Sequence, residues 1–114
     1  MSEIITQLEG YLDKLKGAGV RATMDPRSVN PPTVLLAPPD FDLDVGCGGT
    51  AEFHAFVLAP PPANLDAWRA LDDIAAKVAD VIPIERIRAT TYGVDDTSAI
   101  PALDLSWTQA LSWP

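Results

Sequence analysis

Cysteine is nearly absent: Cys47 stands alone among 114 residues. No disulfide can form within the chain, so its sulfur content gives no sign of an oxidising compartment. Histidine is as scarce, with His54 alone. One Cys and one His fall short of the three or four ligands that a zinc site takes. They could act as a nucleophile and base only if folding happened to join them. Cations are few as well, since 8 Lys and Arg stand against 16 Asp and Glu and leave a formal net charge of -8. Such a chain lacks the clustered cations that grip a phosphate backbone or an anionic membrane surface. An acidic wall can still let a polyanion pass without holding it. No apolar stretch approaches the roughly 18 residues of a membrane helix. The opening MSEIITQLEGYLDK has neither the basic start nor the apolar run of a signal peptide, and the expectation is folding and assembly inside the cell.

What is present is ordinary for a globule: 47% hydrophobic and 21% charged residues. The length predicts one domain over 1–114, with 109–114 as a short C-terminal tail. Over 3–16, Ile4, Ile5, Leu8, Tyr11, Leu12 and Leu15 recur at helical spacing, with Gly17 or Gly19 placed to end the helix. A brief strand is expected at Val20–Met24 and a buried one at Thr33–Ala37, stopped by Pro38-Pro39. In 40–49, Asp40, Asp42 and Asp44 alternate with Phe41, Leu43 and Val45, which predicts an extended but irregular link with one wet, acidic side. From Thr50 to Ala59 a strand is expected, with Ala51, Phe53, Ala55 and Val57 on one face and Glu52, His54, Phe56 and Leu58 on the other. Asn64 is placed to cap a second helix over 65–82, whose stripe is Leu65, Trp68, Leu71, Ala75, Val78 and Ile82. Trp68 is thereby expected in the core. Strands over Glu85–Tyr92 and Ala102–Thr108, joined by a polar loop, predict an antiparallel pair. The sum is an α+β fold: a four- to five-stranded, mainly antiparallel sheet with two helices packed on one face. Its other face is left wet or given to a partner.

The residues offer little chemistry. Asp40-x-Asp42-x-Asp44 has the carboxylates of a calcium loop, but Val45 stands where that loop needs Gly and Ala51 where it needs Glu. Gly46, Gly48 and Gly49 are followed by no helix start and no phosphate-binding Lys, so they make no phosphate cradle. Cys47 has no cation beside it to favour the thiolate. The reading is therefore no catalytic residue, no cofactor and no metal, and a protein that is not an enzyme. Interfaces remain. Trp107 and Trp113 lie near the chain end, where an aromatic tail can dock on a neighbour. The link 38–49 and the loop 93–101 with Asp95 and Asp96 are long for so small a domain.

The layout resembles the tail-terminator, or tail-completion, proteins of long-tailed bacteriophages. The likeness is carried by the helix Ile4–Leu15, PPTVLLAPP (31–39), the acidic link into GCGGTAEFHAFVLAP (46–60), NLDAWRALDDIAAKV (64–78), ERIRATTYG (85–93) and IPALDLSWTQAL (100–111). It covers nearly the full chain. The resemblance implies a homo-oligomeric ring, usually a hexamer, that sits on the last ring of the tail-tube protein and ends its polymerisation. It also implies a joint to the neck or head-completion protein, a place at the tail–neck junction of the virion after assembly in the host cytoplasm, and transient passage of DNA through the lumen. No membrane enters this picture. A closed ring is built from heterologous contacts, one edge of a subunit against a different edge of the next. On this reading Asp40, Asp42, Asp44, Asp95, Asp96, Trp107 and Trp113 are the candidate lumen and interface residues. The competing expectations are another neck or minor tail protein, and a small dimeric ligand-binding module that uses its open sheet face.

Overall fold

The computed structural model describes residues 2–25, 32–44, 48–59, 65–93 and 99–111. In chain order the elements are α1 (Ser2–Gly17), β1 (Ala22–Thr23), β2 (Thr33–Leu36), β3 (Asp40–Asp44), β4 (Gly48–Leu58), α2 (Leu65–Val81), β5 (Arg86–Gly93) and β6 (Ala99–Leu111). The six strands form one sheet in the order β1-β2-β4-β6-β5, with β3 also paired to β4. All pairings are antiparallel except β1 with β2. The α+β class is as expected, with one strand more than the sequence reading allowed.

The additional strand is the acidic link. Leu36 pairs with Ala55 and Asp40 with Glu52, so residues 37–39 on one side face only 53–54 on the other. That is a one-residue bulge, and the Ala37 N–H still donates to the His54 carbonyl at 3.0 Å. Pro38 and Pro39 have no N–H to give a ladder, so pairing lapses there and resumes two residues on. The prolines end β2 as expected, yet the chain stays in the sheet. The bulge also moves the inward face from even to odd positions. Val34 and Leu36 point toward the helices, and beyond the bulge Phe41 does, which sends Asp40 and Asp42 to the opposite face.

The core lies between the helices and one sheet face. Ile4, Leu8, Tyr11 and Leu15 of α1 and Ala67, Leu71, Ala75 and Val78 of α2 join Val34, Leu36, Ala51, Phe53, Ala55, Val57, Leu105 and Trp107. Its centre is aromatic: Phe53 and Trp107 are cross-strand partners with stacked rings 5.7 Å apart. Tyr11 meets both edge-on at 5.2 and 5.1 Å, and its hydroxyl donates to Gln109 Oε1 at 3.1 Å. A second, smaller cluster of Leu35, Leu58 and Ala102, with Phe56 against it, lies on the other face.

The α2 stripe is rotated from its expected position. Counting about 100° per residue from Leu71, Ala75, Val78 and Ile82 stay within roughly 40°, whereas Trp68 falls near 60° and Leu65 near 120°. Ala67 takes the place on the inner side, and Trp68 and Leu65 are 41% and 65% exposed. Trp68 is thus a surface aromatic and not the core residue that the spacing suggested.

Gly19 closes α1. Its φ is 80°, and the flanking bonds, Gly19 N–H to the Lys16 carbonyl at 3.1 Å and Val20 N–H to the Leu15 carbonyl at 3.0 Å, are the paired bonds of a Schellman cap. Leu15 and Val20 are both buried beneath it. A β-branched side chain is strained at this φ, so Gly19→Val is expected to lower unfolding free energy by about 1–2 kcal/mol. Urea titration at an unchanged slope would measure it, and an unaltered midpoint would contradict the cap.

Candidate assembly surface

The sheet face away from the helices is polar at its middle. Glu52 and His54 of β4, Asp104, Ser106 and Thr108 of β6, and Arg86 and Arg88 of β5 share it through their cross-strand pairings. His54 sits between two carboxylates. Its Nδ1 is hydrogen-bonded to Asp104 Oδ1 at 2.8 Å, and its Nε2 lies 3.5 Å from Glu52 Oε1. Its ring stacks over Phe56 at 6.2 Å. Nδ1 is thus held by an acid and Nε2 has one nearby, and Ser106, the cross-strand partner of His54, is 6% exposed and held in the ladder. This arrangement orients an imidazole and crosslinks two strands. Among the described residues no group of three or more His, Cys, Asp or Glu is arranged to hold a metal ion.

The strand edges are more distinctive. One side of the sheet ends in β5; the other ends in the two-residue β1 alongside β2 and in β3 beyond the bulge, and among the described residues β3 and β5 have no outer partner. Edge strands of this kind template further pairing unless they are covered. Where β6 begins to outrun β5 its edge is covered: the Glu85 N–H donates to the Ser106 carbonyl at 2.9 Å, and the Thr108 N–H donates to the Glu85 carboxylate at 3.1 Å. Among the described residues nothing comparable covers β5, where Arg86, Ile87, Arg88 and Ala89 are all exposed, so both faces of this stretch are bare. On β3, Asp40, Phe41 and Asp42 are exposed in the same way.

Of the candidate residues, Asp40, Asp42 and Asp44 all fall on β3, where Asp40 and Asp42 share the open face; the side chain of Asp44 lies outside the described ones. Trp107 does not join them. It is 1% exposed at the centre of the core, because the odd positions of β6 face the helices. Trp107, expected at an interface, is therefore a core residue, and among the described residues the exposed tryptophan is Trp68. The supposed tail is shortened too, since Gln109, Ala110 and Leu111 pair with β4 as the end of β6. Asp95, Asp96 and Trp113, like Cys47 and Asn64, lie outside the described residues. The sequence reading missed Arg86, Ile87 and Arg88 as a surface. Their alternation was visible, but only the position of β5 at an edge gives it meaning.

The described residues form one α+β unit with an open sheet face and edges left uncovered at β3 and β5. A scan against protein-family models finds no match for the chain, and a search of curated proteins finds none either. Among the described residues, no helix is long and apolar enough to cross a membrane.

Proposed function

We infer that the protein is a structural virion subunit of the tail-terminator kind. It forms a ring on the last tier of a phage tail tube, stops the tube from growing and offers a seat to the neck or head-completion protein. One observation carries the reading. The order of helix, strands, helix and two strands on which the likeness rests is realised in a single sheet in which β3 on one side and β5 on the other have no outer partner among the described residues. A subunit with two different free edges suits heterologous contacts, which close into rings. The net charge of -8 suits a lumen through which DNA slides without adhering.

A phage that cannot make this chain is expected to build tail tubes longer than normal, measured by electron microscopy of lysates. Tubes of normal length that fail to join heads would make the protein a neck component instead. Fully assembled, infectious particles would remove it from the virion altogether.

A further inference from the structure

We propose that copies of this chain join head to tail by strand addition, the β3 edge of one copy pairing antiparallel with the β5 edge of the next. The proposal rests on the ring reading for its setting and supplies the contact which that reading needs.

Direction comes first. β3 and β6 both run antiparallel to β4, and β5 runs antiparallel to β6, so β3 and β5 point in opposite directions. A second copy that continues the sheet with the same face outward therefore presents β5 antiparallel to β3, with the open faces coplanar.

Side chains then select a register. On the open face, β3 carries Asp40 and Asp42 and β5 carries Arg86 and Arg88. On the helix side, beyond the cover of the helices, β3 carries Phe41 and β5 carries Ile87, 46% and 55% exposed. If Phe41 is set opposite the next copy's Ile87, Asp40 falls opposite Arg88 and Asp42 opposite Arg86. Over Asp40–Asp42 and Arg86–Arg88 one antiparallel register thus gives two opposite-charge pairs on one face and an apolar pair on the other, the kinds of cross-strand neighbour that stabilise sheets. The ladder is confined to the β3 stretch, because β1 occupies the outer side of Val34 and Leu35 and the far end of β5 must turn away from it. Among the described residues none of these four charged groups is engaged in an ion pair. The acidic and basic edges match only when they belong to different ends of successive copies, so the contact is heterologous.

The offset of the edges bears on closure. Phe41 is level with Ala51 and Gln109, whereas Ile87 is level with Leu105. Pairing Phe41 with Ile87 shifts each copy by four residues, roughly 13 Å along the strands. Strands tilted against the ring axis absorb such a shift, as they do when a sheet closes into a barrel.

Charge exchange tests the contact. Asp40→Arg with Asp42→Arg makes both edges basic, and Arg86→Asp with Arg88→Asp makes both acidic. Sedimentation at millimolar protein and low salt is expected to find oligomers of the native chain, which high salt weakens. Each variant alone should associate at least roughly tenfold more weakly, with unchanged circular dichroism. An equimolar mixture should regain assembly by alternation, and the four changes in one chain should restore self-association. Variants that assemble like the native chain, or a mixture that stays monomeric, would overturn the pairing. A native chain that stays monomeric would do so too, and tube length in the deletion phage would still decide the terminator reading separately. The register has its own check. With Cys47→Ser, a chain carrying Phe41→Cys and Ile87→Cys should oxidise to a ladder extending beyond the dimer, while either cysteine alone stops at the dimer. A double variant that also stops there would refute the register.

Discussion

Trp107→Ala is expected to lower unfolding free energy by about 3–5 kcal/mol, the range for losing a fully buried large aromatic side chain. The indole stacks on Phe53 and receives the edge of Tyr11, so its removal strips both rings of their partner at once. β4 and β6 are held together along ten paired positions at this point, and the ladder limits how far the backbone can collapse into the void. Domains of this size have only about 5–15 kcal/mol in total, so the variant should melt on the order of 15 °C lower. A conservative change separates volume from polarity. Trp107 Nε1 is buried and finds no acceptor among the described residues, so Trp107→Phe removes an unpaired donor along with part of the ring. Its loss should be well under half that of alanine. Thermal unfolding followed by circular dichroism reads both, and an alanine variant within about 1 kcal/mol of the native chain would deny the indole its place at the centre of the core.

Where the sequence could be read, local pattern and tertiary outcome coincide. The two faces of β4 follow from strict alternation between Ala51 and Leu58, and α1 follows from its stripe, since each needs only a period and a buried side. Misreadings arose where a second element decides the outcome. Pro38-Pro39 has the form of a terminator, and whether a chain stops or bulges there depends on β4 being long enough to accept pairing on both sides of the break. Trp68 satisfies the helical spacing, but small Ala67 sits closer to the line that α2 presents to the sheet. The Trp107 position was the converse error. Its strand was foreseen, but proximity to the chain end suggested docking on a neighbour, whereas β6 turns its odd positions to the helices, runs on to Leu111 and buries the indole. The residues of the proposed contact were legible as two charge alternations, one acidic and one basic. Neither shows from sequence alone that it lies at an edge, or that the two edges are opposite.

Replacing Asp40, Asp42 and Asp44 together by lysine is expected to reduce infectious yield by orders of magnitude while the monomer keeps its fold. The fold should survive because β3 pairs through its backbone and Asp40 and Asp42 are exposed. Lysine on an edge strand is well tolerated, and it is one of the residues that discourages unwanted pairing. Net charge would move from -8 by six units, two for each replacement, to -2. The field therefore changes in two places. At the β3 edge the variant opposes Arg86 and Arg88 of a neighbour with like charge, which costs cross-strand stability in place of contributing it. Along any lumen that the row borders, cations would hold DNA by counterion release where carboxylates had let it slide. Microscopy of the tails separates the two effects. Overlong tubes without a terminal ring are the expected result and put the loss in subunit pairing. Tubes of native length with rings in place, but slow DNA ejection, would assign the aspartates to the channel and free the β3 edge from the contact. Native yield would leave this row no part in the particle, because six units of charge on an exposed strand could not pass unnoticed at either place.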